Sequence, residues 1–244
     1  MKVLLLAGTA EARALAGRLA GDARFDLVAS LAGATRAPEA YAVPVRSGGF
    51  GGTAGLEKYI EDNDVEAIVD VTHPFARVMP QRAQALCARH GRPYLRLARP
   101  GWTPEPGDRW RVVKEAAQAA EEIAPGARVF LATGARSLGD FAALAMGRYV
   151  VARVIDPPDR PFPFLQGQFL IGRPPFTVAG EIATFRAHGI DVLVAKNAGG
   201  PTSAKLAAAR ALGLPVVLLD RPPPPPGDRV ETVEAACAWL ERLL

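Results

Sequence analysis

The chain opens on an apolar run that stops at a glycine and passes straight into helix-forming residues: KVLLLAGTAEAR, Lys2 to Arg13. A strand that ends at a glycine and opens a helix presents free backbone N–H groups and the positive end of a helix dipole, which suits a phosphate. Similar passages recur. Strands are expected at Lys2–Ala7, Phe25–Ser30, Ala67–Val71, Pro93–Arg96, Val129–Thr133, Tyr149–Arg153, Phe169–Ile171, Val192–Ala195 and Val216–Leu219. Helices are expected at Ala10–Leu19, Thr53–Asp62, Pro80–Arg89, Lys114–Ile123, Leu138–Met146, Val178–His188, Ser203–Leu212 and Val230–Leu243. Runs such as AIVDV and DVLVA are apolar on both faces, as in a sheet covered by helices on each side. The alternation predicts an α/β fold with parallel sheets.

The pattern breaks at RPGWTPEPGDRWR, Arg99 to Arg111, which carries three prolines and two glycines. It reads as a linker between a domain over 1–110 and a second over 111–244. VFLATGARSL, Val129 to Leu138, echoes the strand-to-glycine turn at the start. The run Pro222–Pro226 reads as an exposed, extended connection before the last helix.

A chain of 244 residues, 49% hydrophobic and 22% charged, has the make-up of a soluble globular protein with a substantial core. No apolar run approaches the roughly 20 residues that span a bilayer, and the start reads as a strand rather than a secretory signal. A cytoplasmic protein without membrane association is expected. Cys87 and Cys237 read as free thiols. Three histidines without CxxC or HxxxH spacing give no reason to expect a metal site. The net charge of +4 is carried mostly by arginine. It suits either a solvated surface or an anionic ligand, because guanidinium binds carboxylate and phosphate bidentately. The basic residues are scattered and not interleaved with aromatics, so nucleic acid is not expected.

Gly8-Thr9-Ala10-Glu11 lacks the glycines of a GxGxxG fingerprint and is, taken alone, equally a simple turn. After the second strand stands SLAGATR, Ser30 to Arg36, without the carboxylate that binds the ribose 2′-hydroxyl of NAD. Hydroxyls and an arginine suit a 2′-phosphate, which favours NADP; otherwise Arg36 is an exposed loop residue. Gly48-Gly49-Phe50-Gly51-Gly52 is costly in backbone entropy. Either it admits a ligand, with Phe50 over an aromatic face, or it is a mobile connection. DVTHPFA, Asp70 to Ala76, falls at the end of a central strand, where ligands sit in open α/β sheets. Thr72 and His73 are placed there to hydrogen-bond a nicotinamide, ribose or diphosphate; the alternative is that His73 caps the next element, which Pro74 starts. In RLARPGW, Arg96 to Trp102, the indole reads as a hinge residue and the arginines stay open. AKNAGGPT, Ala195 to Thr202, followed by Ser203-Ala204-Lys205, is a second anion-binding geometry. Lys196 there suits a carboxylate or a proton delivery, the alternative being an ordinary ion pair; Pro175, Phe176 and Glu181 are candidates for the same face, Glu181 otherwise being a helix-surface or structural carboxylate.

In order, these segments resemble the precorrin-6A reductases of cobalamin biosynthesis. The resemblance is carried by LLLAGTAEARALA at Leu4–Ala16, GGFGGTAGL at Gly48–Leu56, VDVTHPFA at Val69–Ala76, YLRLARPGW at Tyr94–Trp102, VFLATGARSLGDF at Val129–Phe141, LIGRPPF at Leu170–Phe176, and VAKNAGGPTSAKLAAARALGLPVVLLDRP at Val194–Pro222. Ala7 and Ala198 depart from the family's usual Gly and Ser, and Gly172-Arg173-Pro174 from its usual Arg-Gly-Pro order.

The resemblance implies two Rossmann-like parallel-sheet halves with a cleft between them, and NADPH-dependent reduction of a ring double bond of precorrin-6A to give precorrin-6B. It implies cofactor binding by Gly8, Thr9, Ala10, Glu11, Arg13, Ser30, Arg36, Thr72, His73 and Pro74. Substrate binding falls to Gly49, Phe50, Gly134, Lys196, Asn197, Gly199, Gly200 and Lys205. Lys196 and His73 are the candidate catalytic groups, with Lys196 or an ordered water delivering the proton. The partner is a tetrapyrrole polycarboxylate and the expected state a monomer. Three other readings stay open: a cobalt-precorrin-6A reductase of the anaerobic route, an NADP-dependent reductase of another acidic substrate, and a non-catalytic NADPH-sensing protein.

Overall fold

In the computed structural model, which describes residues 1–33, 40–156, 159 and 161–244, the opening run forms β1 (Lys2–Leu6) and leads into α1 (Ala10–Leu19). There follow β2 (Asp26–Leu31), β3 (Val45–Ser47), α2 (Thr53–Asp62), β4 (Ala67–Asp70), α3 (Val78–Arg89) and β5 (Tyr94–Leu97). Next come β6 (Trp110–Val113), β7 (Arg128–Ala132), α4 (Ala142–Ala145), β8 (Tyr149–Val154), β9 (Gly167–Ile171), α5 (Val178–Ala187), β10 (Val192–Lys196), α6 (Ala204–Ala211) and β11 (Val216–Leu219). The chain ends with β12 (Asp228–Val230) and α7 (Val233–Glu241). It divides into two units, Met1–Pro100 with Pro222–Leu244, and Gly101–Arg221.

The first unit holds a parallel sheet in the order β12-β5-β4-β1-β2-β3. Alternate residues of β1 serve opposite faces, as the two-residue period of a strand requires. Val3 and Leu5 pack with α1 and α7, against Leu15, Leu19, Trp239 and Leu240. Leu4 and Leu6 pack with α2 and α3, against Leu56, Ile60, Ala83 and Leu86. Complete burial of such a side chain stabilises by about 1.5–3 kcal/mol, so β1 carries no polar residue after Lys2. The second unit holds another parallel sheet, in the order β6-β11-β10-β7-β8-β9. One of its faces packs Phe130, Leu193 and Leu218 against Phe185 of α5 and Leu206 of α6.

Several expectations need correction. The boundary falls after Pro100 rather than at 110, and Pro222–Leu244 returns to the first unit, where β12 pairs with β5 and α7 covers β1. Strands β3, β6 and β12 were not expected; each has only three or four residues with mostly exposed side chains, so hydrophobic periodicity was absent. The segment over 114–123 is a short 3-10 helix, Ala116–Ala120. The buried Arg148 guanidinium takes the carbonyl oxygens of Ala120 and Ile123 that a longer helix would have used. The segment over 138–146 is a 3-10 helix, Ala135–Phe141, followed by the single turn of α4. Within the proline run, Pro225 is buried rather than exposed.

Candidate functional site

In the first unit β1 and β4 are neighbours although β2 and β3 lie between them in sequence. The connections leave β1 toward one edge and resume at β4 on its other side. Such a switch point opens a crevice at the carboxyl ends of the two strands. Thr9 closes it at the base. Its buried hydroxyl caps α1 by accepting from the Ala12 N–H at 3.2 Å and donates to the Val71 carbonyl at 2.8 Å. Gly8 has φ +125°, and a Cβ added there meets nothing within 4 Å. The turn therefore combines a left-handed backbone with open space, which suits close approach of a ligand to the α1 amides. Ala10 is exposed on the first turn of α1 and Arg13 half-buried one turn on. Glu11 is engaged, its carboxylate 2.7 Å from the Arg99 guanidinium.

The opposite wall is the Thr72-His73-Pro74 turn. Beneath it Asp70, at the end of β4, and Arg96, on β5, form a buried ion pair at 2.5 Å. Asp70 also accepts from Tyr94 Oη at 2.8 Å and from the Thr72 N–H at 2.9 Å. Burial and the Asp70 carboxylate push the Tyr94 hydroxyl far above its ordinary pKa, so it remains a donor. Arg96 in turn donates to Thr72 Oγ1 at 2.8 Å and to the carbonyls of Thr72 and His73. A buried network with this many satisfied partners fixes the turn. The His73 ring is exposed, its Nδ1 accepting from the Phe75 N–H at 3.2 Å. Pro74 is buried.

At the ends of β2 and β3, Ser30 lies in register with Leu6 on one side and Arg46 on the other. Arg46 Nη1 donates to Ser30 Oγ at 2.8 Å and to the Gly48 carbonyl at 3.1 Å, and Nη2 donates to Gly49 at 3.2 Å. Its guanidinium lies 3.8 Å from the centroid of the Phe50 ring, whose edge meets Tyr59. Gly49 and Phe50 are thus held to Ser30 within the first unit, rather than forming a loose connection. Arg46 was missed from the sequence; a basic residue two positions ahead of a glycine run was its only signal. Arg36 lies outside the described residues.

The second unit has an equivalent switch point between β7 and β10. Gly134, with φ +82°, lies two residues past β7, and Lys196 ends β10. Lys196 Nζ donates to Ser137 Oγ at 3.0 Å, and that hydroxyl donates to the Thr133 carbonyl at 2.8 Å. Asn197 is turned onto Trp102: its Oδ1 accepts from the Trp102 N–H at 2.7 Å. Trp102 Nε1 reaches the Gly200 carbonyl at 2.9 Å, so Gly199 and Gly200, at φ +66° and +76°, are drawn over the indole. Lys205 is buried, with Nζ 4.6 Å from the Trp102 ring centroid and 2.5 Å from the Thr202 carbonyl. Burial, opposed by Glu181 and reinforced by Arg153, lowers its pKa to about 8. Glu181 is a structural carboxylate, bidentate to Arg153 at 2.6 and 2.7 Å. With Phe176 and Thr177 this pair lines a cleft of ≈ 330 Å³.

Among the described residues, one cluster has metal-binding reach, Glu57, Glu61 and His90 on the surface of α2 and α3. There Glu57 is already 2.6 Å from His90 and 3.3 Å from Arg89. No helix among the described residues is long and apolar enough to cross a membrane.

Residues 2–241 match the family described as precorrin-6x reductase CbiJ/CobK. The chain is 47% identical over 242 residues to the precorrin-6A reductase of Rhodobacter capsulatus, covering 98% of this chain and 95% of that protein. It is 45% identical over 245 residues to the precorrin-6A reductase of Rhodococcus erythropolis, covering 99% and 98%. A solved structure titled CobK precorrin-6A reductase superposes with a TM-score of 0.91 at 45% identity, over 99% of this chain and 96% of that one.

Proposed function

Since the chain belongs to the precorrin-6x reductase family CbiJ/CobK, we propose that it catalyses the NADPH-dependent reduction of a ring double bond of precorrin-6A, giving precorrin-6B, in cobalamin biosynthesis. The observation that carries this reading is 45–47% identity over nearly the whole chain to proteins named precorrin-6A reductase. Both carry the name of the metal-free substrate, which favours it over the cobalt form. The first switch point fits a dinucleotide: Gly8 leaves open space before the α1 amides, and the residues directly after β2, Ala32 to Arg36, include no carboxylate. When bound, NADPH supplies the hydride.

In this reading the Gly8-Thr9-Ala10 turn binds the diphosphate, and the Thr72-His73-Pro74 turn orients the ribose and nicotinamide. Asp70 and Arg96 act beneath that turn as positioning residues. The paired Glu11 is neutralised by Arg99, which removes a carboxylate's repulsion from a phosphate at the α1 terminus. In the second unit Gly134, Lys196, Asn197, Gly199 and Gly200 receive the tetrapyrrole polycarboxylate. Asn197 and Trp102 hold the glycine segment in place, and Ser137 holds the Lys196 ammonium. Reduction of a carbon–carbon double bond needs a proton as well as a hydride. Lys196 delivers it, from an ammonium held by Ser137 beside the anionic substrate. His73, its Nδ1 accepting from the Phe75 N–H, acts from the same turn on the cofactor side. The protein works as a cytoplasmic monomer.

The test is anaerobic turnover of precorrin-6A and of its cobalt form, with NADPH, by the wild type and Lys196→Met. Turnover of the metal-free substrate, and a kcat lowered about a hundredfold or more in the variant, is expected. Full turnover by Lys196→Met with unchanged substrate affinity would remove the lysine from the proton step. NADPH binding without oxidation, by either substrate, would return the chain to the sensing reading.

A further inference from the structure

Two arginines of the first unit near its switch point are paired with carboxylates. Arg96 faces Asp70 at 2.5 Å and Arg99 faces Glu11 at 2.7 Å. Arg46 is different: its partners are the Ser30 hydroxyl and the carbonyls of Gly48 and Gly49, all neutral, and no carboxylate among the described residues forms an ion pair with it. Phe50 lies across its face at 3.8 Å and Tyr59 at 5.2 Å. Three of the five guanidinium N–H groups are used in these bonds, leaving two. A half-buried cation, locked in one orientation and without an ion pair among the described residues, is prepared for an anion brought by a ligand. Its fork geometry matches the oxygens of a phosphate.

The position says which phosphate. Leu6, Ser30 and Arg46 lie in one row across β1, β2 and β3. Adjacent strands are about 4.8 Å apart, so Arg46 stands about 10 Å to the side of the diphosphate turn. The end of the second strand is where sheets of this order read the ribose 2′ position. There this chain places Ser30 and, hydrogen-bonded to it, Arg46. We infer that Arg46, aligned by Ser30 and stacked on Phe50, binds the 2′-phosphate of the dinucleotide and sets the preference for NADPH over NADH. The inference rests on the dinucleotide reading above.

The test is calorimetric titration of the full chain with NADPH, NADH, adenosine 2′,5′-bisphosphate and 5′-AMP. The wild type should bind NADPH and the bisphosphate more tightly than NADH and 5′-AMP, by on the order of ten- to a hundredfold. Arg46→Met should bring each ratio close to one by weakening only the 2′-phosphorylated ligand. Arg46→Lys, which restores charge without the fork, should recover part of it. A purely structural anchor would instead weaken NADPH and NADH equally, and that result overturns the inference. Should Arg46→Met not fold, Ser30→Ala tests the same point, because a misaligned guanidinium must also lower the ratio; an unchanged ratio counts against it. A wild type that binds NADPH and NADH equally refutes this inference alone, whereas one that binds neither refutes the dinucleotide reading too.

Discussion

Lys205 shows how much of a single residue's environment is absent from the sequence. As the second residue of α6 behind a glycine segment, it reads in sequence as part of an anion-binding geometry on the substrate side. It is in fact buried under Trp102, with Glu181 and Arg153 as the charged groups that reach it from α5 and β8. Burial lowers its pKa from 10.5 to about 8. Between these values the unfolded chain binds more protons than the folded one, so stability rises with pH across that window. The cost of the buried charge is present below pH 8 and is lost as pH approaches 10.5. The stability of the wild type relative to Lys205→Met should therefore rise by about 3 kcal/mol from pH 8 to 10.5, measured by urea unfolding. A difference that stays flat means that Lys205 titrates as an ordinary lysine. The place of Thr72 and His73 just past the end of β4 was legible, because a fully buried apolar strand that ends in a polar pair marks its own terminus. The Asp70, Tyr94 and Arg96 network beneath them was not, since it depends on the register of β4 with β5.

At the scale of elements, long buried strands and their helices were legible from periodicity, and three- or four-residue edge strands were not. The glycine segment ahead of α2 shows what glycine is for when spacing alone leaves it open. Gly55 is the third residue of α2, and a Cβ there would stand 1.6 Å from the Phe50 carbonyl oxygen. The helix and the glycine segment touch backbone to backbone, and that contact sets where Phe50 and Arg46 meet. Gly55→Ala must displace one or the other. It is expected to lower the melting temperature and to weaken NADPH binding together, by about 1–3 kcal/mol of stability and severalfold in affinity. An alanine variant with wild-type NADPH affinity would show that the segment takes no part in binding. The same passage accounts for the missed Arg46: its significance comes from Ser30, 16 residues earlier, and no local pattern connects them.

For the whole molecule, each unit repeats one topology: β1, β2, β3, β4 and β5 correspond to β7, β8, β9, β10 and β11, with a sixth parallel strand added beside β5 or β11. The echo of LLLAGTA in VFLATGA was the only trace of this in sequence, because parallel sheets constrain hydrophobicity and turn geometry rather than residue identity. The sixth strands explain why the division was misread. β6 opens the second unit from inside the proline-rich segment, and β12 brings the chain's end back to the first. Two switch points follow, one with an open glycine turn and Arg46, which forms no ion pair among the described residues, the other with Lys196 and a glycine segment. That division of labour underlies the proposed reaction. Its most direct test is a single anaerobic turnover of precorrin-6A with NADPH deuterated on the transferable C4 position, followed by mass spectrometry of the pigment. The account predicts a product carrying one deuterium from the cofactor and, in heavy water with unlabelled NADPH, a second site labelled from solvent. A reduced pigment whose added hydrogens both come from solvent would contradict it.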